Sequence, residues 1–315
     1  DMRSRGYGMT KTEYGIGNDK WGWEFYRLTK GAYGTVIHDG KEYKHPKPEN
    51  LLWRPDRQIT KYNIDGIEIV ETKFISINDV VCSIIKSSEP IKIRFNGTGF
   101  YNPMNLPTFD GDEDGIPWQQ NIKSKVSFHS EDNAVKIFES SDMMVKPDWG
   151  KDALLGKMMY DGMSVGISST KSIQSSYNTS YDKNNVPNYD FTIDCDSSGT
   201  SIFYSIGDNY DEVISNIKKV RSNVEKELEM KTAYMNKLLN EQIPYFRCSD
   251  QAVVDTYYYL WAIYFMYFID VGDGYMEYPH TQTAINNFMG LHLWDSSVYA
   301  RMGSWVADKW QYGFG

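Results

Sequence analysis

The chain has 315 residues, 41% of them hydrophobic and 24% charged, which is enough to bury a core in one large or two ordinary domains and too apolar for a disordered polymer. Thirty-three Lys and Arg against 42 Asp and Glu leave a net charge of -9, and the absence of any basic run that could neutralise phosphates excludes a nucleic-acid partner. Aromatic residues are the compositional outlier at 15%, with 24 Tyr and 9 Trp; their flat faces and polar tips serve buried packing and sugar faces alike, so abundance alone assigns neither.

Residues 1–207 read as β structure. Short runs at 66–74, 79–85, 91–95, 134–139, 163–168, 189–195 and 200–206 are rich in Val, Ile, Phe and Tyr, and many alternate apolar with polar residues, the period of a half-buried strand. Dipeptides that reverse a chain separate them, among them Asn96-Gly97, Asn102-Pro103, Asp161-Gly162 and Ser198-Gly199. No helical pattern intervenes, so an antiparallel β-sandwich is expected. Within this part Asp110, Asp112 and Asp114 alternate with Gly111 and Glu113, and Gly115 stands where a calcium loop makes its turn. The twelfth position is Asn121 rather than a bidentate Glu, so an acidic turn is the first expectation and a structural calcium ion the alternative; no other cofactor is expected.

The period changes after residue 207. Val213, Ile217, Val220, Val224, Leu228, Met235, Leu238 and Leu239 form a helical stripe, Asp208 or Asn209 is placed to cap it, and Ile243-Pro244 ends it. One long linker helix is expected within 208–244. A second helix from Ser249-Asp250 to about Ile269 is apolar almost all round, and Asp270-Val271-Gly272-Asp273-Gly274 stops it. A third is expected to start at Asp295 or Ser296, with Val298, Met302, Trp305, Val306 and Lys309 on one face. Helices apolar on most sides need neighbours on most sides, and residues 245–315 supply too few, so further helices or a partner chain are expected to cover them. The longest uncharged apolar run, 257–269, is well short of the about 20 residues of a membrane span.

Several chemistries drop out. Cys82, Cys195 and Cys248 are too few and too scattered for a disulfide framework, leaving one bridge plus a free thiol or three reduced thiols. His38, His45, His129, His280 and His292 lack metal-ligand spacing, and there is no phosphate loop, no GxSxG elbow and no Cys-His signature.

The informative stretch is Asn286-Asn287-Phe288-Met289-Gly290-Leu291-His292-Leu293-Trp294-Asp295-Ser296-Ser297. A carboxylate beside an indole can accept hydrogen bonds from two adjacent sugar hydroxyls while the ring packs on the sugar's apolar face; the plainer reading is that Asp295 caps a helix. A β-sandwich, a linker helix and then helices opening with an aromatic-Trp-Asp motif resembles the six-hairpin, or (α/α)6-toroid, glycosidases, including the trehalase-like, glucoamylase-like and processing-glucosidase-like families. The resemblance spans most of the chain as architecture, and 246–259 and 278–309 as sequence pattern. It implies a multidomain β plus α protein: a sandwich over 1–207, the linker helix, and the first helices of a toroid over 245–315.

It also implies that Trp294 and Asp295 line the innermost sugar subsite, with Asn286, Asn287 and His292 as neighbours, whose plainer role is to brace the loop by hydrogen bonds. Catalysis in such families resembles the inverting pattern, one carboxylic acid protonating the departing oxygen while a second carboxylate activates water. Both come from later parts of the toroid, so the catalytic pair is expected beyond Gly315, with Glu277 a lesser candidate. The expected function is glycosidic-bond hydrolysis on an oligo- or polysaccharide. The alternative is a non-catalytic carbohydrate-binding or assembly protein whose helices pack on a partner. A glycan substrate and a start at Asp1 without Met lead to the expectation of a secreted or periplasmic location.

Overall fold

The structure is a computed structural model and describes residues 33–44, 46–98, 119–144, 164–174, 188–207, 209–269, 280–281 and 293–307. The chain divides into a unit over Gly6–Leu228 and a unit built on Glu229–Gly315.

In the first unit the strands are β1 (Tyr33–His38), β2 (Lys41–Lys44), β3 (Asn50–Trp53), β4 (Gln58–Ile64), β5 (Ile67–Ile75), β6 (Val80–Ser87), β7 (Ile91–Thr98), β8 (Gln119–His129), β9 (Ala134–Met144), β10 (Ser164–Ser169), β11 (Asn188–Cys195) and β12 (Thr200–Gly207). They form two sheets, of order β11-β7-β1-β2 and β3-β4-β5-β6-β12-β10-β9-β8, and every ladder between them is antiparallel. The expected sandwich is therefore present. Alternation supplies its core: Val36, Ile93, Phe95, Phe191 and Ile193 of the smaller sheet pack with Ile69, Ile85, Ile137, Val165 and Ile202 of the larger. Each such side chain contributes about 1.5–3 kcal/mol when fully buried.

Glu71 is a charged residue inside this alternation, at 0% exposure, and Lys73 lies inward beside it. The Ser83 hydroxyl donates to its Oε1 at 2.7 Å, the Tyr62 phenol to its Oε2 at 3.3 Å, and Lys73 Nζ lies 3.3 Å away. The carboxylate is thus both hydrogen-bonded and charge-paired, as a buried ion must be.

The larger sheet is apolar on its second face as well. Helix α1 (Tyr210–Arg221) lays Val213, Ile214, Ile217 and Val220 over Phe74, Val80, Cys82, Ala134 and Phe203. All six residues of β10 are buried, because that strand is covered from both sides. Gly166 in β10 permits the approach: a Cβ there would come within 2.8 Å of Val213 Cγ1 and 3.0 Å of Ile217 Cδ1.

Where the sequence pattern predicts one helix there are two, α1 and α2 (Val224–Glu241). Asn209 Oδ1 accepts from the Glu212 amide at 2.9 Å to start α1, and Asn223 Oδ1 accepts from the Lys226 amide at 3.0 Å to start α2. An Asn in that position competes with the helix ladder, which the apolar stripe alone does not reveal. At the turn between β8 and β9, Asp132 ties α1 down. It receives Lys218 Nζ at 2.6 Å and the Tyr210 phenol at 3.1 Å, while Arg221 donates to its carbonyl and to Ser168 Oγ, both at 2.8 Å. Burial alone would raise the pKa of Asp132, but the Lys218 and Tyr210 hydrogen bonds outweigh it and hold the carboxyl below its ordinary value.

Cys82, Cys195 and Cys248 are all free thiols, the first two buried and the third exposed. Burial pushes the Cys195 thiol up to about 12 and raises Cys82 as well.

Two outcomes test this packing. Gly166→Val should lower unfolding stability by at least about 2 kcal/mol in urea titrations, the scale of overpacking against a branched neighbour, and an unchanged midpoint would refute the close approach. A carboxyl with a depressed folded-state pKa stabilises above its unfolded value and loses that contribution as pH falls through the folded one. The stability gap between the wild type and Lys218→Met should therefore shrink as pH drops from about 6 to about 2, and a gap constant with pH would show that Lys218 acts through packing alone.

Candidate functional site

The second unit is helical. It takes the end of α2, then α3 (Gln251–Tyr267), the short pair β13 (Phe268–Ile269) and β14 (His280–Thr281), and α4 (Leu293–Gly303). Asp250 starts α3, its Oδ1 accepting from the Ala252 amide at 2.9 Å. Before it the chain is pinned by aromatic tips: Tyr257 donates to the Pro244 carbonyl at 2.5 Å, and Phe246 stacks on the Tyr257 ring at 4.8 Å. The ladder Phe268↔Thr281 and Ile269↔His280 closes the connection that follows α3.

The core of this unit joins Met235, Leu238 and Ile243 to Trp261, Tyr264 and Phe265 of α3, and to Tyr299, Met302 and Val306 from α4 and just beyond it. Tyr264 sits at its centre, with 0% exposure and ring centroids 5.6 Å from Trp261, 5.8 Å from Phe265 and 6.2 Å from Tyr299. Burial pushes its phenol up to about 12. The Ala307 amide donates to the Gln242 carbonyl at 2.9 Å, tying the chain after α4 to the end of α2. Seam contacts, not helix propensity, therefore fix how α4 lies on α3.

Trp294 and Asp295 fall in the first turn of α4, which starts at Leu293 rather than at the expected Asp295 or Ser296. Asp295 is the third helical residue, so it is not the N-cap; a carboxylate in a first turn is still favoured by the exposed amides there. By position, Asp295 shares a stripe of α4 with Tyr299 and Met302, four and seven residues on, and Trp294 shares one with Val298 and Arg301. Tyr299 and Met302 pack against the α3 residues Trp261, Tyr264 and Phe265. Val298 on the second stripe is 55% exposed, and Trp305, just past the helix, 69%. Glu277, Asn286, Asn287 and His292 lie outside the described residues, as do Asp110, Asp112 and Asp114; Asn121 is a residue of β8.

Two features were not read from the sequence. An open groove of about 390 Å³ runs along the start of α3, lined by Phe246, Ala252, Val253, Thr256, Tyr257 and Leu260. The small residues Ala252 and Thr256, spaced four apart between larger apolar ones, are the signal that could have found it. The structure also brings ligand atoms of His129, Glu131 and Asp132 within 4.8 Å of one another, although the Lys218 ammonium already neutralises Asp132.

No family profile matches the chain, and no curated protein is similar to it. Among solved structures it is similar to a protein assigned as a kojibiose phosphorylase from the human microbiome, at 9% identity and a TM-score of 0.45, over 78% of this chain and 32% of that one. It is also similar to a bacterial glucoamylase solved with acarbose, at 9% identity and a TM-score of 0.34, over 75% of this chain and 32% of that one. Both are enzymes of the six-hairpin glycosidase fold. The chain spans about a third of their length.

The seam makes one prediction. A phenol whose pKa is raised by folding stabilises fully below its unfolded value near 10 and loses that contribution as pH rises through about 12. Alkaline unfolding of the helical unit, followed by ellipticity, should therefore be less steep between those values in Tyr264→Phe. Identical alkaline limbs would show that Tyr264 does not titrate with unfolding.

Proposed function

We propose that the chain provides the β-sandwich and part of the innermost sugar subsite of a glycoside hydrolase acting on an oligo- or polysaccharide. The observation that carries this reading is the Trp294-Asp295 pair in the first turn of α4, a helix whose Tyr299 and Met302 pack into an aromatic seam. Trp294 serves as the platform for the apolar face of a sugar ring, and Asp295 accepts hydrogen bonds from its hydroxyls. Asn286, Asn287 and His292, close before the pair in sequence, are assigned as further hydroxyl partners. The reaction is the inverting one, in which acid and base stand on opposite faces of the ring with room for water between them. Neither role is assigned to a residue of this chain, Glu277 being the lesser candidate. The protein works outside the cytoplasm, and a calcium ion at Asp110, Asp112 and Asp114 would brace a loop without entering the chemistry.

A second reading has its own support. Val253, Tyr259, Leu260 and Met266 leave α3 with apolar surface exposed, between 39% and 49% each. That surface fits a helical partner, whether the rest of a toroid or another chain, and an assembly protein would need nothing more.

Titrating the protein with a panel of gluco-, galacto- and manno-oligosaccharides, by calorimetry and tryptophan fluorescence, separates the two. The glycosidase reading expects millimolar or tighter binding of at least one sugar, lost by about tenfold or more in Asp295→Asn and in Trp294→Ala at unchanged helicity. No sugar binding, together with concentration-dependent self-association, would favour the assembly protein.

A further inference from the structure

Resting on the reading of Trp294 and Asp295 as a sugar subsite, we infer that Tyr299 is the positioning residue of that subsite, clamped between α4 and the buried ring of Tyr264. Three observations lead there. Tyr299 follows Asp295 by four residues, so the two occupy one stripe of α4, one turn apart. Aromatic side chains on a helix lean toward its N-terminus, which directs the Tyr299 ring over the turn that carries Asp295. On its other side that ring meets Tyr264 at 6.2 Å, and Tyr264 is itself fully buried against Trp261 and Phe265.

The other core members that the described residues place in or just after this helix lie toward its far end. Met302 is seven residues past Asp295 and Val306 eleven, and the bond from the Ala307 amide to the Gln242 carbonyl lies beyond both. Among the described residues of α4, Tyr299 is thus the core member nearest the Trp-Asp turn. Loss of its ring is therefore expected to loosen the first turn more than loss of a contact at the far end, where Met302, Val306 and the Ala307 amide remain. A sugar held by hydrogen bonds and ring stacking tolerates little such play, since a displacement of about 1 Å takes a donor and acceptor out of the roughly 2.7–3.2 Å range of a hydrogen bond.

The test compares Tyr299→Ala, Tyr299→Phe and Val306→Ala in the whole chain, using the oligosaccharide from the panel that the wild type binds most tightly. Both alanine variants remove core volume from the same cluster, so the affinity of each is compared at temperatures well below its own melting temperature. Tyr299→Ala should weaken sugar binding by about tenfold or more, Val306→Ala by less than about threefold, and Tyr299→Phe should bind as the wild type does. If Tyr299→Ala does not fold, Tyr299→Leu keeps apolar bulk without the planar clamp and should show the same loss. Equal losses in the Tyr299 and Val306 variants would overturn the inference, since affinity would then follow stability alone. If Asp295→Asn abolishes binding and Tyr299→Ala leaves it intact, only the role of Tyr299 falls. If the wild type binds no sugar, the subsite and its positioning residue fall together.

Discussion

The eight-stranded sheet has two apolar faces, and the larger unit is arranged around the need to cover both. The four-stranded sheet covers one with Phe95, Phe191, Ile93 and Ile193, and α1 covers the other with Val213, Ile217 and Val220. A strand buried on both sides can tolerate a residue without a side chain where a helix must come close, and Gly166 is that residue. Because the second face is closed by a helix rather than by more sheet, polar anchoring falls on α1 itself. Asp132, Lys218, Tyr210 and Arg221 provide it along one edge of the contact.

That the sheet would be antiparallel was legible in the chain, since the runs at 66–74, 79–85 and 200–206 coincide with β5, β6 and β12 to within about a residue at most ends. The third layer was not legible. The stripe from Val213 to Leu239 is continuous, and periodicity cannot tell a helix that covers a sheet from one that links domains. Nor does it show where such a helix breaks, because Asn223 interrupts the ladder through its own side chain. The polar residues in the sandwich core were equally opaque: Glu71 and Lys73 occupy inward positions where alternation calls for apolar side chains, and only the convergence of Tyr62 and Ser83 makes room for them.

In the helical unit the sequence was informative about type and less so about faces. α3 is apolar almost all round, and the structure divides it into an inner side at Trp261, Tyr264 and Phe265 and an outer side at Val253, Tyr259 and Leu260. The same division runs through α4, where Tyr299 and Met302 turn inward and Val298 outward. Of the candidate site, the motif around Trp294 and Asp295 was legible as an N-terminal helix turn. Its register was not, because a weakly amphipathic helix gives no sharp start in the pattern, and the helix expected to start at Asp295 or Ser296 starts at Leu293.

The three thiols have a practical consequence. Cys82 and Cys195 are sealed in the sheet unit with their thiolates strongly disfavoured, whereas Cys248 is open to solvent. A maleimide reagent offered to the folded protein therefore has one addressable atom, the Cys248 sulfur, two residues before the capping Asp250 of α3. The wild-type chain thus carries its own handle for a single fluorophore or spin probe beside the aromatic groove, with no cysteine removed to create it.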